Sequence, residues 1–137
     1  MKIHIINGPN LNMLGIREPE IYGKTSFKDF FTELQFQFKD VELSYFQSNI
    51  EGELISEIHE ANDNVDGIVL NAAAYTHTSI ALADAIKILE IPVVEVHISN
   101  VHAREEFRRH SYIAPHALGV ISGFGLQSYA LAIQSFI

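Results

Sequence analysis

Cysteine is absent from the 137 residues, which removes disulfides, thiolate metal sites, iron–sulfur clusters and cysteine nucleophiles together. That absence fits a reducing compartment. Basic residues are few, 9 Lys and Arg against 17 Asp and Glu, so the formal charge is −8 with histidines neutral. Such a balance opposes general attraction to nucleic acid or anionic lipid, while leaving room for a local basic pocket. No uncharged apolar run approaches the ~20 residues of a membrane helix. Nothing at Met1 to Asn7 resembles a signal peptide, because these residues run straight into a strand-like segment. Repeats, low-complexity tracts and an interdomain linker are also missing. The expectation is a single soluble, cytoplasmic domain, too short for a (β/α)8 barrel of about 250 residues.

What is present alternates between strand and helix. Lys2 to Asn7 is β-branched and stops at Gly8-Pro9. Phe27, Phe30, Phe31, Leu34 and Phe38 keep one face of a helix apolar, with Thr25 and Ser26 as candidate N-caps. Val41, Leu43 and Tyr45 alternate with polar residues at strand period. Leu54, Ile55, Ile58 and Ala61 mark a second helix, and Gly67 to Leu70 a buried strand ending at Asn71. Ser79 to Leu89 reads as a helix, Pro92 to Val96 as a strand ending at His97, and Gly119 to Ser122 as a fifth strand. A short helix is expected before that last strand, and a closing helix from Leu126 to about Phe136. Strands alternating with helices predict a parallel sheet covered on both faces. Five of them favour an α/β, flavodoxin-like doubly wound sheet in the order 2-1-3-4-5. Residues 8 to 24 form a long segment without a clear element, the pattern of a functional loop such as an active-site lid.

In a doubly wound sheet, ligands sit outside the carboxyl ends of the strands, and unusual polar residues gather there. Glu95 and His97 are two apart on a strand and share a face. A glutamate inside Val93 to Val96 is expensive unless paired, and carboxylate beside imidazole fixes a tautomer and supports the protonated ring. A structural pair at a subunit contact is the alternative. Arg17 and Tyr22 sit five apart in the long loop, which Pro19 stiffens and Gly23 closes. A guanidinium nearby favours a phenolate, although an Arg and a Tyr in a loop are more often surface residues. Thr76 and Ser79 are candidate N-caps, and His77 is a cap partner or a polar ligand at that helix start. Asp84 reads as a solubilising helix residue and Arg104 to His110 as a solvated face.

Seven histidines invite a metal reading, but His97, His102 and His110 make no HExxH pattern or clear ligand set. GxSxG, GxGxxG and GxxxxGK[ST] are missing too, as are a receiver domain's clustered acids and a flavodoxin's phosphate loop. The remaining inventory is a proton-transfer site of Tyr, Arg, His, Glu and Asn, with no metal and no cofactor.

Four motifs in register carry a resemblance. The run from Asn7 to Gly23 (NGPNLNMLGIREPEIYG), Asn71 with Tyr75 to Ser79 (YTHTS), Glu95 to Asn100 (EVHISN) and Arg104 to Ser111 (REEFRRHS) resemble type II 3-dehydroquinate dehydratase. The likeness runs from the first strand to the last helix. It implies a hydro-lyase of the shikimate pathway that converts 3-dehydroquinate to 3-dehydroshikimate without cofactor, by anti elimination through an enolate. Carried over by motif, Tyr22 is the base, Arg17 its electrostatic partner, and Asn10 the holder of an enolate-stabilising water. His97 is the acid, oriented by Glu95. Asn71 and the backbone N–H groups of Ile98 and Ser99 take the substrate carboxylate. His77 and Arg108 meet ring hydroxyls, and Asp84 reaches a neighbouring subunit's site. Ala72-Ala73-Ala74 departs from the family's usual Pro- or Gly-containing form. The resemblance also implies a homododecamer built from trimers, with no nucleic-acid or membrane partner. Competing readings are a non-catalytic binding module for a small polyhydroxy acid, a flavin-bearing electron carrier, and an interaction domain.

Overall fold

The computed structural model describes residues 1–16, 20 and 23–137. Five strands, β1 (Lys2–Asn7), β2 (Glu42–Gln47), β3 (Gly67–Asn71), β4 (Val93–His97) and β5 (Gly119–Ser122), pair in the order β2-β1-β3-β4-β5. Every pairing is parallel, so all carboxyl ends reach one edge of the sheet. The α-helices are α1 (Phe27–Gln37), α2 (Glu51–Ala61), α3 (Ile80–Lys87) and α4 (Gln127–Gln134).

Side-chain alternation along the strands divides the core in two. Ile3, Ile5, Val69, Val94 and Val96 pack with Phe27, Phe30, Leu34 and Ile133 of α1 and α4. Ile6, Ile68, Leu70 and Val93 pack with Leu54, Ile58, Leu82 and Ile86 of α2 and α3. Burial on both faces is what turns β3 and β4 into near-continuous apolar runs. His4 is a buried polar residue in the middle of β1. Its ring accepts from Ser44 Oγ at 2.6 Å and donates to Glu57 Oε1 at 2.7 Å, stitching β1 to β2 and α2.

The expected flavodoxin-like order is borne out, and the element boundaries move by a few residues. Ser26 caps α1 by accepting from Asp29 N, and Ser79 caps α3 by accepting from Leu82 N. Thr76 instead lies in a 3-10 turn, Ala73–His77, which fills the gap between β3 and α3. The short helix expected before β5 is three 3-10 turns, Val101–Ala103, Glu106–Arg109 and Ala114–His116. That stretch has no apolar stripe to pack, and Pro115 sits at the start of the last turn, where it cannot donate into a longer ladder.

Two backbone features shape the edge where the strands end. Gly8 N donates to Asn71 O at 2.7 Å, and a Cβ on Gly8 would lie 2.5 Å from Ala72 O. Only glycine lets β1 and β3 close this near. Beyond it, Ala73 takes a left-handed φ of 52°, and its N–H donates to Asn71 Oδ1 at 3.1 Å.

Candidate active site

A cavity opens at the carboxyl edge of the sheet, where β1, β3 and β4 stop. From the segment after β1 come Pro9, Asn10 and Leu11; Asn10 adopts φ 69° and its N–H donates to Asn49 Oδ1 at 2.9 Å. From β3 and its 3-10 turn come Asn71, Ala73 and His77. From β4 onward come His97, Ile98, Ser99, Arg104 and Arg108. Two guanidinium groups and two imidazoles thus converge, and among the described residues no carboxylate lines the wall. On a chain of net charge −8, this is a local basic pocket suited to a small anion.

Glu95 and His97 share a face of β4, as their two-residue spacing requires. His97 Nε2 donates to Glu95 Oε2 at 2.7 Å, with the residues 7 % and 2 % exposed. A bond to a carboxylate at Nε2 leaves Nδ1 as the ring nitrogen for the cavity. His77 lies alongside, its ring stacked on His97 with centroids 6.0 Å apart. It donates from Nδ1 to the His110 carbonyl at 2.7 Å. Burial first, then the positive neighbours His97 and Arg108, push the His77 pKa below that of an ordinary imidazole. The His110 carbonyl and Glu95 pull the other way without reversing the shift.

Asn71 is held from behind. Its Nδ2 donates to Tyr129 Oη at 2.8 Å, and Tyr129 donates in turn to Asn7 Oδ1 at 2.8 Å. Tyr129 is fully buried on α4, and burial raises its pKa far above a free phenol. It therefore keeps its proton and serves as a fixed link. Because that single proton goes to Asn7, the amide nitrogen of Asn71 must face Tyr129, which assigns the amide's orientation. Arg104 Nη1 donates to Ser99 Oγ at 3.2 Å, steadying the loop after β4.

The cavity thus gathers Asn10, Asn71, His77, His97, Ile98, Ser99 and Arg108, with Glu95 directly behind His97. Arg108 lines it while the adjacent Arg109 is exposed, so the segment read as a solvated face turns two arginines inward. Asp84 is exposed on α3 and does not line the cavity. Arg17 and Tyr22 lie outside the described residues. Sequence reasoning gave no role to Arg104, Ser111 or Tyr129. The first two sat inside the REEFRRHS motif; Tyr129 carried no signal, since a tyrosine in an apolar helix reads as core. Among the described residues no group of three or more His, Asp or Glu is placed to hold a metal ion.

Fold and site together define a flavodoxin-like α/β protein with a cation-lined cavity and a buried imidazole–carboxylate pair at its strand ends. The chain belongs to the dehydroquinase class II family, whose model matches residues 1–137. It is 56 % identical over 138 residues to the 3-dehydroquinate dehydratase of an Exiguobacterium species, covering 100 % of this chain and 94 % of that protein. The Caldicellulosiruptor saccharolyticus protein of the same name is 54 % identical over 98 % of this chain and 94 % of its own. The crystal structure of type II dehydroquinase from Butyrivibrio crossotus superposes with a TM-score of 0.95 at 47 % identity, over 98 % of this chain and 96 % of that one.

Proposed function

We infer that this chain removes water from 3-dehydroquinate to give 3-dehydroshikimate, the hydro-lyase reaction of the shikimate pathway. Family membership over the full chain and relatives named for this reaction support that reading. The observation that carries the chemistry is the His97–Glu95 pair opening onto a cavity walled by Arg104 and Arg108. The binding-module alternative is not favoured, because the full-length relatives bear an enzyme's name.

The proposed reaction runs by anti elimination through an enolate, with no cofactor. Tyr22, as phenolate, takes the proton alpha to the ketone, and Arg17 favours both the phenolate and the charge that develops. Asn10 holds a water against the enolate oxygen. His97 then gives its Nδ1 proton to the departing hydroxyl; the C–O bond breaks, the C=C bond forms and water leaves. Glu95 holds the Nε2–H and supports the imidazolium until that transfer. Asn71 with the Ile98 and Ser99 N–H groups takes the substrate carboxylate, and His77 and Arg108 take ring hydroxyls. These contacts aim one C–H at one phenolate, which is where orientation lowers the barrier.

The finer assignments complete the proposal. Residues 8 to 24 act as a lid over the substrate, Asp84 serves a neighbouring subunit's site, and the enzyme works as a cytoplasmic homododecamer, a tetramer of trimers. The test is the ultraviolet absorbance of the conjugated product after mixing with 3-dehydroquinate in chelator, using enzyme previously exposed to substrate and borohydride and then freed of both. Turnover should persist, fall by orders of magnitude in Tyr22→Phe while substrate still binds, and vanish in a folded His97→Ala. Near-normal turnover in either variant removes that residue from its role. No turnover by the folded wild-type oligomer would overturn the assignment.

A further inference from the structure

Ser111 stands outside the cavity, yet its hydroxyl reaches the carboxylate that holds His97. Its Oγ donates to Glu95 Oε1 at 2.6 Å, and it accepts from Ile113 N at 3.1 Å and Ala114 N at 2.9 Å. A serine oxygen has two lone pairs and one proton. With both backbone amides pointed at the oxygen, the proton has one place to go, which is Glu95. Nor is the segment free to drift: Ile113 is fully buried in the cluster that includes Val93, on the same face of β4 as Glu95 and His97.

Each oxygen of the Glu95 carboxylate is therefore met by one donor, Ser111 on Oε1 and His97 on Oε2. A carboxylate only 2 % exposed is costly to bury unless its oxygens are met by donors, and a carboxylate free to rotate would not hold the His97 ring in one orientation. We propose that Ser111 is a positioning residue for the elimination: its amide-anchored hydroxyl fixes the plane of the Glu95 carboxylate, so that His97 presents its proton-bearing nitrogen to the leaving hydroxyl. The proposal rests on the reading of His97 as general acid.

Ser111→Ala should lower kcat by roughly tenfold and leave KM within about twofold, because it acts on the proton-transfer step and not on binding. Ser111→Thr, which keeps the hydroxyl, should restore kcat to within about threefold. Ser111→Cys, a weaker donor of similar shape, should fall between them, and it carries the test if the alanine variant fails to fold. In a Glu95→Gln background the Ser111→Ala change should cost less than about twofold, since its target has been altered. An unchanged kcat in Ser111→Ala, a loss carried by KM, or an equal loss in both backgrounds would overturn the proposal. Those results leave His97 in place as acid; an active His97→Ala would instead remove the acid itself.

Discussion

Ala73 occupies a conformation that its own side chain disfavours. At φ 52° the Cβ crowds the following carbonyl, a cost of about 1 kcal/mol that glycine does not carry. The turn holds regardless, because the Ala73 N–H must reach Asn71 Oδ1. Ala73→Gly should raise unfolding free energy by about 1 kcal/mol, read as a higher urea midpoint at unchanged slope. The departure at Ala72 to Ala74 was visible in the sequence; its backbone consequence was not, since φ is set by the closure between β1 and β3. His77 offers a second check. Its folded pKa is lowered, chiefly by burial, so the unfolded chain binds the proton more readily. Stability must then fall as pH drops from about 6.5 towards the lowered value, and rise in the other direction. His77→Gln should show a shallower loss of Tm than wild type between about pH 7 and 5.

At the scale of elements, helices and strands were legible wherever a face is continuously apolar. The β3 and β4 runs, the Phe stripe of α1 and the Ser caps of α1 and α3 all followed from local rules. Residues 101 to 118 were not, because three 3-10 turns anchored by tertiary contacts leave no periodicity to read. Tyr129 shows the same limit from another side. Its meaning comes from reaching Asn7 and Asn71 across the sheet edge, a relation no local pattern encodes. Tyr129→Phe removes the partner of buried Asn71 Nδ2 and of buried Asn7 Oδ1 and should cost about 1–3 kcal/mol of stability. It should also raise KM more than it lowers kcat, because Asn71 loses the link that orients its amide. A steady-state comparison on the folded variant decides it.

For the whole molecule, some surface is unusually apolar for a chain that carries −8. Val120 on the edge strand β5 is 48 % exposed, and its sequence neighbours Leu118 and Phe124 are 67 % and 64 % exposed. Exposed apolar residues beside an open sheet edge are the kind of surface that the proposed assembly would cover. Light scattering should return the mass of a dodecamer; a monomer would remove the assembly and with it the role given to Asp84. Among the described residues no helix is long and apolar enough to cross a membrane.

The bond from Tyr129 to Asn7 spans 122 positions, joining the first strand to the last helix across the centre of the site. Until residue 129 is in place, Asn71 Nδ2 and Asn7 Oδ1 lack the hydroxyl that joins them. Assembly of the site therefore waits on α4, the last of the elements in chain order.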